Sequence, residues 1–383
     1  MRYFILAGES SGDNLGALLM DRIRGLDPKA NFGFWGGDAM CEIAQKVDSN
    51  AKPGRHIKDL AFMGFIEVVA NLRTIIGLMK QAKKDIEAFE PDVLVCIDYP
   101  GFNLRMAKWA KARGIRVEFY VSPQIWAWRR SRVHRIIKQT DRVICILPFE
   151  ESFYKNYGYD VAYTGHPLPK RIDNHKAPER LCVKTLDGEK IINQKILALL
   201  PGSRVQEVSK HLPVMLEALQ VLRKRNNKLK DLQPVIAAAP VLSEEQLLAF
   251  AKTYDVAWVR SSYDLLSHAT MACVASGTAT LETALFRVPQ VVCYKGSGAS
   301  VMLARKLIKV DYIALANLIC DAPIVPELIQ EEFTAENLAE HLLALYDGAA
   351  RLKQEKGYTE LRELLRPYEA TDAAAQLIVD GIG

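Results

Sequence analysis

Short, uniformly apolar runs alternate along this chain with longer amphipathic stretches. Runs of four or five apolar residues are typical of strands buried on both faces, and the stretches between them have helical spacing. This alternation predicts an α/β fold in which helices cover parallel sheets. The predicted strands are Tyr3–Ala7, Val93–Ile97, Val117–Val121 and Val143–Leu147 in the first half, and Ile196–Leu200, Val235–Ala239, Val256–Val259, Ala272–Ala275 and Gln290–Cys293 in the second.

The length and one irregular segment predict how these elements are divided. At roughly 100–200 residues per domain, a chain of 383 residues predicts two domains. Gly165–Gln194 is rich in Pro, Lys and Asp and has no sustained hydrophobic period, so it is the expected linker. We expect Rossmann-like domains at 1–170 and 171–360 and a helical tail at 361–383. Two doubly wound sheets predict a ligand cleft between their rows of strand C-termini.

The composition excludes several classes of protein. With 49% hydrophobic and 25% charged residues, the chain is neither a disordered segment nor a fibre. It has no run of 18 uncharged apolar residues and no signal-peptide pattern, so a cytoplasmic location without a membrane span is expected. The seven cysteines are scattered without a CxxC pair, and no other metal-ligand cluster occurs. No metal or other cofactor is therefore expected.

The first βα turn, Gly8–Asp13 (GESSGD), leads into a predicted helix. Its glycines allow a close approach of backbone N–H groups to a ligand, although the pattern is not the dinucleotide-binding GxGxxG. Glu9 repels phosphate and is better suited to sugar hydroxyls. The alternative is a plain turn whose serine begins the helix.

A second candidate lies where the strand Val93–Ile97 ends. Asp98 follows this buried strand and precedes a Pro-Gly turn, so it is expected at the C-terminal edge of the sheet. A partly desolvated carboxylate at that edge is suited to act as a general base. The alternative is an Asp that caps the next turn or helix.

The net charge of +5 is confined to the first half. Residues 1–170 contain 25 Lys and Arg against 19 Asp and Glu, and the remainder is close to neutral. Five cations lie between Arg129 and Lys138, directly after Trp126 and Trp128. Aromatic residues beside cations are typical of a protein surface that contacts an anionic membrane or a phosphorylated amphiphile. The alternative is an exposed helix beside core tryptophans, and no nucleic-acid-binding motif accompanies the cations.

An apolar stripe also lies in the basic half. Between Phe62 and Lys80 the apolar residues repeat at helical spacing, which is typical either of core packing or of a helix on a membrane surface. The residues predicted to face the membrane are Phe65, Ile66, Val69, Leu72, Ile76, Trp126, Arg129, Arg130 and Arg132.

The second half contains two turns suited to bind an anion. One is Pro201–Arg204 (PGSR), after the strand Ile196–Leu200, and the other is Ser276–Thr278, after Ala272–Ala275. Two helix N-termini and an arginine at strand ends suit a diphosphate. No Walker A sequence occurs, so ATP hydrolysis of the P-loop kind is not expected. The candidate residues are Gly202, Ser203, Arg204, Glu207, Ser276, Gly277, Thr278, Glu282 and Asn317.

Together these motifs resemble the lipid-A-disaccharide synthases, which are inverting glycosyltransferases of the two-Rossmann GT-B type. The most specific motifs are YVSPQIWAWR and LLPGSRVQEV, whereas SGTATLE is common among GT-B enzymes. The chain reads Ala316-Asn317-Leu318 where the family usually reads Pro-Asn-Leu. The matching segments are residues 8–13, 97–103, 120–129, 147–150, 165–168, 199–208, 276–282 and 316–318.

The resemblance implies a reaction and a location. The family joins UDP-2,3-diacylglucosamine to 2,3-diacylglucosamine 1-phosphate (lipid X), giving a β-1,6-linked disaccharide 1-phosphate and UDP. It works as a peripheral protein on the inner face of the cytoplasmic membrane, in lipid A synthesis for the outer membrane. On this chain it implies Asp98 as the base, with UDP-sugar contacts from the second half. The acyl-sugar contacts would come from Glu9, Ser11, Gly12 and Asn103.

Two other functions fit parts of the pattern. A UDP-GlcNAc 2-epimerase or a MurG-like transferase would use the same UDP-sugar site, but neither explains the YVSPQIWAWR segment. A membrane-binding module without catalysis would explain the basic tryptophan segment, but not two anion-binding turns together with Asp98. The sequence predicts neither acyl-chain length nor oligomeric state.

Overall fold

The computed structural model forms two compact units. The first contains Met1–Pro167 and Pro367–Gly383, and the second contains Leu168–Arg366. The structure describes residues 1–60, 72–127, 130–225, 229, 231–296, 311–346 and 348–381.

The first unit begins with a run of alternating strands and helices. Its strands are β1 (Arg2–Ala7), β2 (Asn31–Gly36), β3 (Arg55–His56), β4 (Val93–Ile97), β5 (Arg116–Tyr120), β6 (Arg142–Cys145) and β7 (Ala162–Tyr163). Its helices are α1 (Ser10–Leu26), α2 (Asp38–Gln45), α3 (Leu72–Phe89), α4 (Pro100–Lys111), α5 (Val133–Gln139) and α6 (Phe149–Lys155), with 3₁₀ turns at Ile57–Asp59 and Arg130–Arg132.

The second unit repeats the pattern. Its strands are β8 (Cys182–Thr185), β9 (Gly188–Ile191), β10 (Ile196–Leu200), β11 (Gln233–Ala237), β12 (Ala257–Val259), β13 (Met271–Ala275), β14 (Gln290–Tyr294) and β15 (Glu327–Ile329). Its helices are α7 (Leu168–Asp173), α8 (Val205–Arg225), α9 (Glu244–Tyr254), α10 (Ser262–His268), α11 (Thr278–Leu285), α12 (Leu315–Cys320), α13 (Ala335–Tyr346) and α14 (Ala349–Leu364), with a 3₁₀ turn at Gln330–Glu332.

Within the described residues, the first sheet has the strand order β3-β2-β1-β4-β5-β6-β7, and all its pairs are parallel. The order reverses direction between β1 and β4, which pair directly, with Ala7 opposite Ile97. In a doubly wound sheet such a switch point opens a crevice beyond the carboxyl ends of the two strands. The residues after Ala7 and Ile97 therefore lie where a ligand is expected.

Both faces of this sheet are covered. Successive residues of β1 alternate between two core clusters, with Tyr3 and Ile5 in one and Phe4 and Leu6 in the other. All four are at most 3% exposed, which explains why the strand is apolar at every position. Replacing one such side chain by Ala typically lowers the free energy of unfolding by about 2–5 kcal/mol.

The second sheet has the order β15-β14-β13-β10-β11-β12-β8-β9. It is parallel except for the β8–β9 hairpin at its edge. Its switch point lies between β10 and β13, where Leu200 pairs with Val274. The alternation of β10 repeats that of β1, because Leu197 and Leu199 enter one core cluster and Ala198 enters another.

The division of the chain differs from the prediction at two places. Gly165–Gln194 contains α7 and the β8–β9 hairpin of the second unit. All of β9 is exposed, so this hairpin has no apolar period to recognise in the sequence. The chain also returns to the first unit at Pro367, and the last helix, α15 (Ala370–Asp380), buries Ala374, Ala375 and Ile378 in the same core cluster as β1. Among the described helices, none is long and apolar enough to cross a membrane.

Candidate active site

Asp98 lies at the switch point of the first unit, directly after β4. Its backbone N–H still donates to the Tyr120 carbonyl at 3.0 Å, so the ladder with β5 continues to this residue. Asp98 and Tyr99 then take the left-handed conformation, with φ of 45° and 49°. Two successive non-glycine residues in this region cost about 1–3 kcal/mol each, so the surrounding contacts must hold them there.

Tyr99 is held in this conformation by aromatic packing. Its ring stacks on Phe102 with centroids 5.6 Å apart. The same ring lies over Gly8, where an added Cβ would come within 2.4 Å of ring atoms. Gly8 is therefore needed so that the ring can approach the β1 turn closely, which joins the GESSGD turn to the Asp98 turn.

Asn103 stabilises the Asp98 turn through hydrogen bonds to backbone carbonyls. It is completely buried, and its Nδ2 donates to the carbonyls of Leu6 at 3.3 Å, Ile97 at 3.1 Å and Asp98 at 2.8 Å. The prediction that Asn103 contacts the acyl sugar is therefore wrong for its amide nitrogen, which is taken up by three backbone carbonyls. Asn103 is a positioning residue for Asp98.

Burial and a neighbouring charge change the ionisation of Asp98. Burial is the larger cause, and the Glu9 carboxylate adds to it, so that the pKa of Asp98 rises to about 6. The Tyr99 backbone N–H opposes this by stabilising the charged form. A carboxyl with such a pKa is ionised near neutral pH yet basic enough to accept a proton during a reaction.

The GESSGD turn has an exposed and a buried half. Glu9 and Ser11 are exposed, as a role in ligand contact requires, whereas Gly12 is buried against β1. Asp13 was not predicted as a functional residue. Its carboxylate accepts from the backbone N–H groups of Gly37 at 2.6 Å, Ala39 at 3.0 Å and Met40 at 3.2 Å. Asp13 therefore caps α2 and fixes the turn in place.

The structure contradicts the membrane-facing prediction for Trp126. This residue is only 6% exposed, and its ring packs edge-on against Phe149 with centroids 4.9 Å apart. Its Nε1 donates to Glu150 at 3.2 Å. The indole is buried because both its ring and its N–H find partners inside the unit.

The other membrane-facing predictions have different outcomes. Phe65, Ile66, Val69 and Arg129 lie outside the described residues, as does the side chain of Leu72. Ile76 on α3 is 41% exposed, while Leu78, Ala82 and Ile86 of the same helix are buried in the core. Arg130 is exposed and donates from Nε to the Trp126 carbonyl at 3.1 Å, and Arg132 is partly exposed.

A basic groove of about 610 Å³ lies between α4 and α5. Within the part of the chain that the structure describes, Lys108, Arg135 and Lys138 form no ion pair. Only α5 was singled out from the sequence, and the structure adds the two lysines of α4. The basic residues that line the groove are Lys108, Lys111, His134, Arg135 and Lys138.

The second candidate site is a pocket of about 490 Å³ at the switch point of the second unit. The turn after β10 and the turn after β13 both line it. Gly202 has φ of 118°, a backbone conformation that favours glycine over other residues. An added Cβ would lie 2.6 Å from the Glu207 carboxylate. Arg204 reaches the pocket with a side chain that is 64% exposed.

Glu207 is bonded to the backbone of its own turn, a contact not predicted from the sequence. Its Oε2 accepts from the backbone N–H groups of Ser203 at 3.0 Å and Arg204 at 3.3 Å. This carboxylate therefore takes the donors at the N-terminus of α8 that were assigned to a diphosphate. Glu207 fixes the turn through this oxygen, while its Oε1 lies 3.6 Å from Arg204 Nη1 on the pocket side.

The N-terminus of α11 is open by contrast. Gly277 has φ of 150°, and no hydrogen bond among the described residues uses the backbone N–H of Thr278 or Ala279. The Ser276 hydroxyl donates to the Ile313 carbonyl at 3.1 Å and so anchors the turn. Unused N–H groups at a helix N-terminus are suited to bind a phosphate.

Glu282 lies in the same pocket, one turn into α11. The Tyr263 hydroxyl donates to its Oε1 at 2.9 Å. Burial raises the pKa of Glu282, while Tyr263 and then Arg171 oppose the rise. One oxygen is thus held by the tyrosine, which leaves the other for a ligand hydroxyl. Tyr263 was missed because it is distant in sequence.

Asn317 does not contact the pocket. It is 1% exposed, and its Nδ2 donates to the Val325 carbonyl and to Glu327 Oε1, both at 2.9 Å. Its Oδ1 accepts from Val325 N–H at 2.9 Å. The prediction of a UDP-sugar contact from Asn317 is wrong for this structure, because every polar atom of its side chain is used to fix the chain before β15.

Two further residues were not predicted: Arg260, which lines the pocket, and His211, which bonds the turn beside it. His211 is buried, accepts at Nε2 from the Lys295 N–H at 2.9 Å and therefore donates from Nδ1 to the Pro201 carbonyl at 2.8 Å. Burial lowers the pKa of His211, which favours this neutral form. Arg260 donates to the Ala239 carbonyl at 3.1 Å and thereby holds the part of the pocket lining that follows β11.

Comparison with known proteins assigns the chain to a protein family. A family model described as lipid-A-disaccharide synthetase matches residues 3–379. The lipid-A-disaccharide synthase of Nitrosococcus oceani is 37% identical over 94% of this chain and 91% of that protein. The enzyme of the same name from Geobacter metallireducens is 34% identical over 100% of this chain and 97% of that protein.

Solved structures show the same fold. The glycotransferase of kitacinnamycin has a TM-score of 0.65 at 15% identity and covers 99% of this chain and 98% of its own. A putative UDP-N-acetylglucosamine 2-epimerase from Listeria monocytogenes has a TM-score of 0.64 at 12% identity, covering 98% and 95%. The predicted GT-B fold of two Rossmann-like units is confirmed. By its sequence match, the chain belongs to the lipid-A-disaccharide synthetase family.

Proposed function

We propose that this protein is a lipid-A-disaccharide synthase that works by direct displacement. It condenses UDP-2,3-diacylglucosamine with 2,3-diacylglucosamine 1-phosphate and releases UDP. The observation that carries the mechanism is Asp98, a carboxyl at a switch point whose pKa rises to about 6 through burial and the Glu9 charge.

Asp98 is the proposed general base. As its carboxylate accepts the proton of the acceptor 6-hydroxyl, that oxygen forms a bond to the anomeric carbon of the donor sugar. The bond from this carbon to the UDP oxygen breaks, and the electron pair leaves with UDP. One displacement inverts the anomeric carbon, which gives the β-1,6 linkage. General-base help of this kind is typically worth about 10²–10⁴-fold in rate.

The pocket of the second unit is the proposed site for UDP. The N–H groups of Thr278 and Ala279 and the exposed guanidinium of Arg204 supply donors for the diphosphate and for the charge that develops on it. Glu282, oriented by Tyr263, is placed to accept from a ribose hydroxyl. Because these donors are fixed before the reaction, we propose that transfer needs no metal ion.

The acceptor side is assigned to the first unit. The exposed Glu9 and Ser11 flank the Asp98 turn and are proposed to contact the acyl sugar. We place the protein on the cytoplasmic face of the inner membrane, where the basic groove between α4 and α5 would contact anionic lipid. Each cation near such a surface contributes about 1 kcal/mol to binding. Sedimentation with anionic and with neutral vesicles tests this location.

The test of the proposed function is UDP release with both acylated sugars. We expect release only when the diacylated donor and the acceptor are both present. Plain UDP-GlcNAc in place of the donor should give little turnover. Efficient turnover of UDP-GlcNAc, or its epimerisation without acceptor, would contradict the proposal. The likeness to solved 2-epimerases, at 12% identity, is one of fold alone.

A further inference from the structure

Two segments that the family resemblance singled out meet inside the first unit. The segment Val121–Trp126 follows β5, and Leu147–Glu150 (LPFE) follows β6. Residues 121–126 start beside the backbone of Asp98, because the Asp98 N–H donates to the carbonyl of Tyr120. Val121 itself has φ of 66°, so the chain turns sharply at the sheet edge. Neither segment has a role in the proposed displacement mechanism.

Glu150 joins the two segments. It is 1% exposed, and its Oε1 accepts from Trp126 Nε1 at 3.2 Å while its Oε2 accepts from Leu147 N–H at 3.1 Å. Burying a carboxyl is costly unless its oxygens accept hydrogen bonds. Loss of either donor would leave a buried oxygen without a partner, so both donors are needed to keep Glu150 in this position. Burial also raises the pKa of Glu150 to about 7, with the Leu147 and Trp126 donors opposing the rise.

Other contacts close the same segment. The Trp126 ring packs edge-on against Phe149, and the Ser122 hydroxyl lies 2.9 Å from the Tyr154 hydroxyl. Ser122, Trp126 and Tyr154 are all buried. Both ends of the segment thus contact α6, which leaves little freedom between them.

We propose that Glu150 is a positioning residue that fixes Val121–Trp126 as the wall of the acceptor site beside Asp98. This inference rests on the proposed function. The wall is rigid because an indole N–H and a backbone N–H converge on one carboxyl, and it sets where the acceptor sugar lies against the base.

The experiment compares three variants in the UDP-release assay with both acylated sugars. Trp126→Phe removes the indole N–H together with one of its two fused rings, and keeps a phenyl ring against Phe149. Glu150→Gln keeps the shape but replaces one acceptor oxygen by a donor. The third variant combines both changes. Trp109→Phe is the matched control, since this tryptophan lies on α4 and contacts Arg113 and Lys83 instead.

We expect Trp126→Phe and Glu150→Gln each to raise the acceptor KM about tenfold, the size of a lost hydrogen bond to a carboxylate. The donor KM and the UDP affinity should stay unchanged. The double variant should be no worse than the poorer single variant, because both remove one interaction. Trp109→Phe should keep the wild-type acceptor KM.

An unchanged acceptor KM in Trp126→Phe, or fully additive losses, would overturn the inference. Equal losses in donor and acceptor KM would also overturn it. If Glu150→Gln does not fold, Trp126→Phe decides alone. Failure of the proposed function is seen separately, since the wild-type protein would then release no UDP with both lipids.

Discussion

The two units place opposite chemistry at the same topological position. At the switch point of the first sheet, buried contacts hold Asp98 in a left-handed turn, and burial together with the Glu9 charge raises its pKa to about 6. At the switch point of the second sheet, unused N–H groups and Arg204 line a pocket. The same fold therefore carries a carboxyl suited to accept a proton in one unit and N–H donors suited to an anion in the other. The difference lies in a few side chains after each strand.

Replacing the proton acceptor should have the largest effect. Asp98→Asn keeps the shape of the side chain but cannot accept the proton, so turnover should fall by about 10²–10⁴-fold. Affinity for UDP, measured by calorimetry, should stay unchanged because the proposed UDP site lies in the second unit. Asparagine stays neutral where the native carboxyl resists ionisation, so the variant should be no less stable than wild type at pH 8. Full turnover would exclude Asp98 as the base.

Removing one N–H donor of the pocket in the second unit should weaken UDP binding, the property that Asp98→Asn is expected to leave unchanged. Thr278 is the first residue of α11, a position that accepts proline, and Gly277 before it is not helical, with φ of 150° and ψ of −162°. Thr278→Pro deletes an N–H and should weaken UDP binding by about 10–100-fold, the range for a hydrogen bond to a charged group. Thr278→Ala keeps the N–H and is the control. Equal UDP affinity in both variants would show that this donor is not used.

Two glycines give a crossed test of the comparison. An alanine Cβ would meet the Tyr99 ring at 2.4 Å in Gly8→Ala and the Glu207 carboxylate at 2.6 Å in Gly202→Ala. We expect Gly8→Ala to lower turnover, and Gly202→Ala to weaken UDP binding, each by about tenfold, as for a displacement near 1 Å or less. Loss of both properties in either variant would contradict the separation of roles.

A pH profile sharpens the role of Glu9. The base must be ionised, so kcat/KM should rise with pH through an apparent pKa of about 6 in the wild-type protein. Glu9→Gln removes a negative charge that raises the pKa of Asp98, so this acid limb should shift to lower pH. Glu217→Gln, on an exposed face of α8, is the control. An unshifted limb in Glu9→Gln would contradict the pairing.

Chelation should have the smallest effect. If fixed N–H groups and Arg204 meet the charge on UDP, dialysis against EDTA should leave kcat and KM unchanged. The check is the UDP-release assay before and after dialysis, with added Mg²⁺ as the control. A loss of activity that Mg²⁺ restores would show that the second site needs a cation as well.

The sequence predicted the architecture well where burial determines the residue type. The strands β1, β4, β5 and β10 were located within about a residue, because both of their faces are covered. β2 was missed, since its residues Asn31–Gly36 include polar and glycine positions and three are not buried. The β8–β9 hairpin was missed because its strands lie mainly in solvent.

The candidate site was predicted less completely, because partners distant in sequence decide what a side chain does. Motif position placed Asp98 correctly at a sheet edge. It gave no sign that Asn103 bonds to Leu6, that Asp13 caps α2, or that Trp126 reaches Glu150 inside the unit. Each of these contacts spans more than 20 residues of chain, so no local pattern indicates it.

Direct titration of Asp98 tests whether burial and the Glu9 charge raise the pKa of this carboxyl enough for it to act as a base. The measurement is the ¹³C chemical shift of the labelled Asp98 carboxyl as a function of pH, assigned by comparison with Asp98→Asn. We expect a midpoint near 6, where the acid limb of kcat/KM also falls. A midpoint near 3.9, the value of an ordinary aspartate, would contradict it.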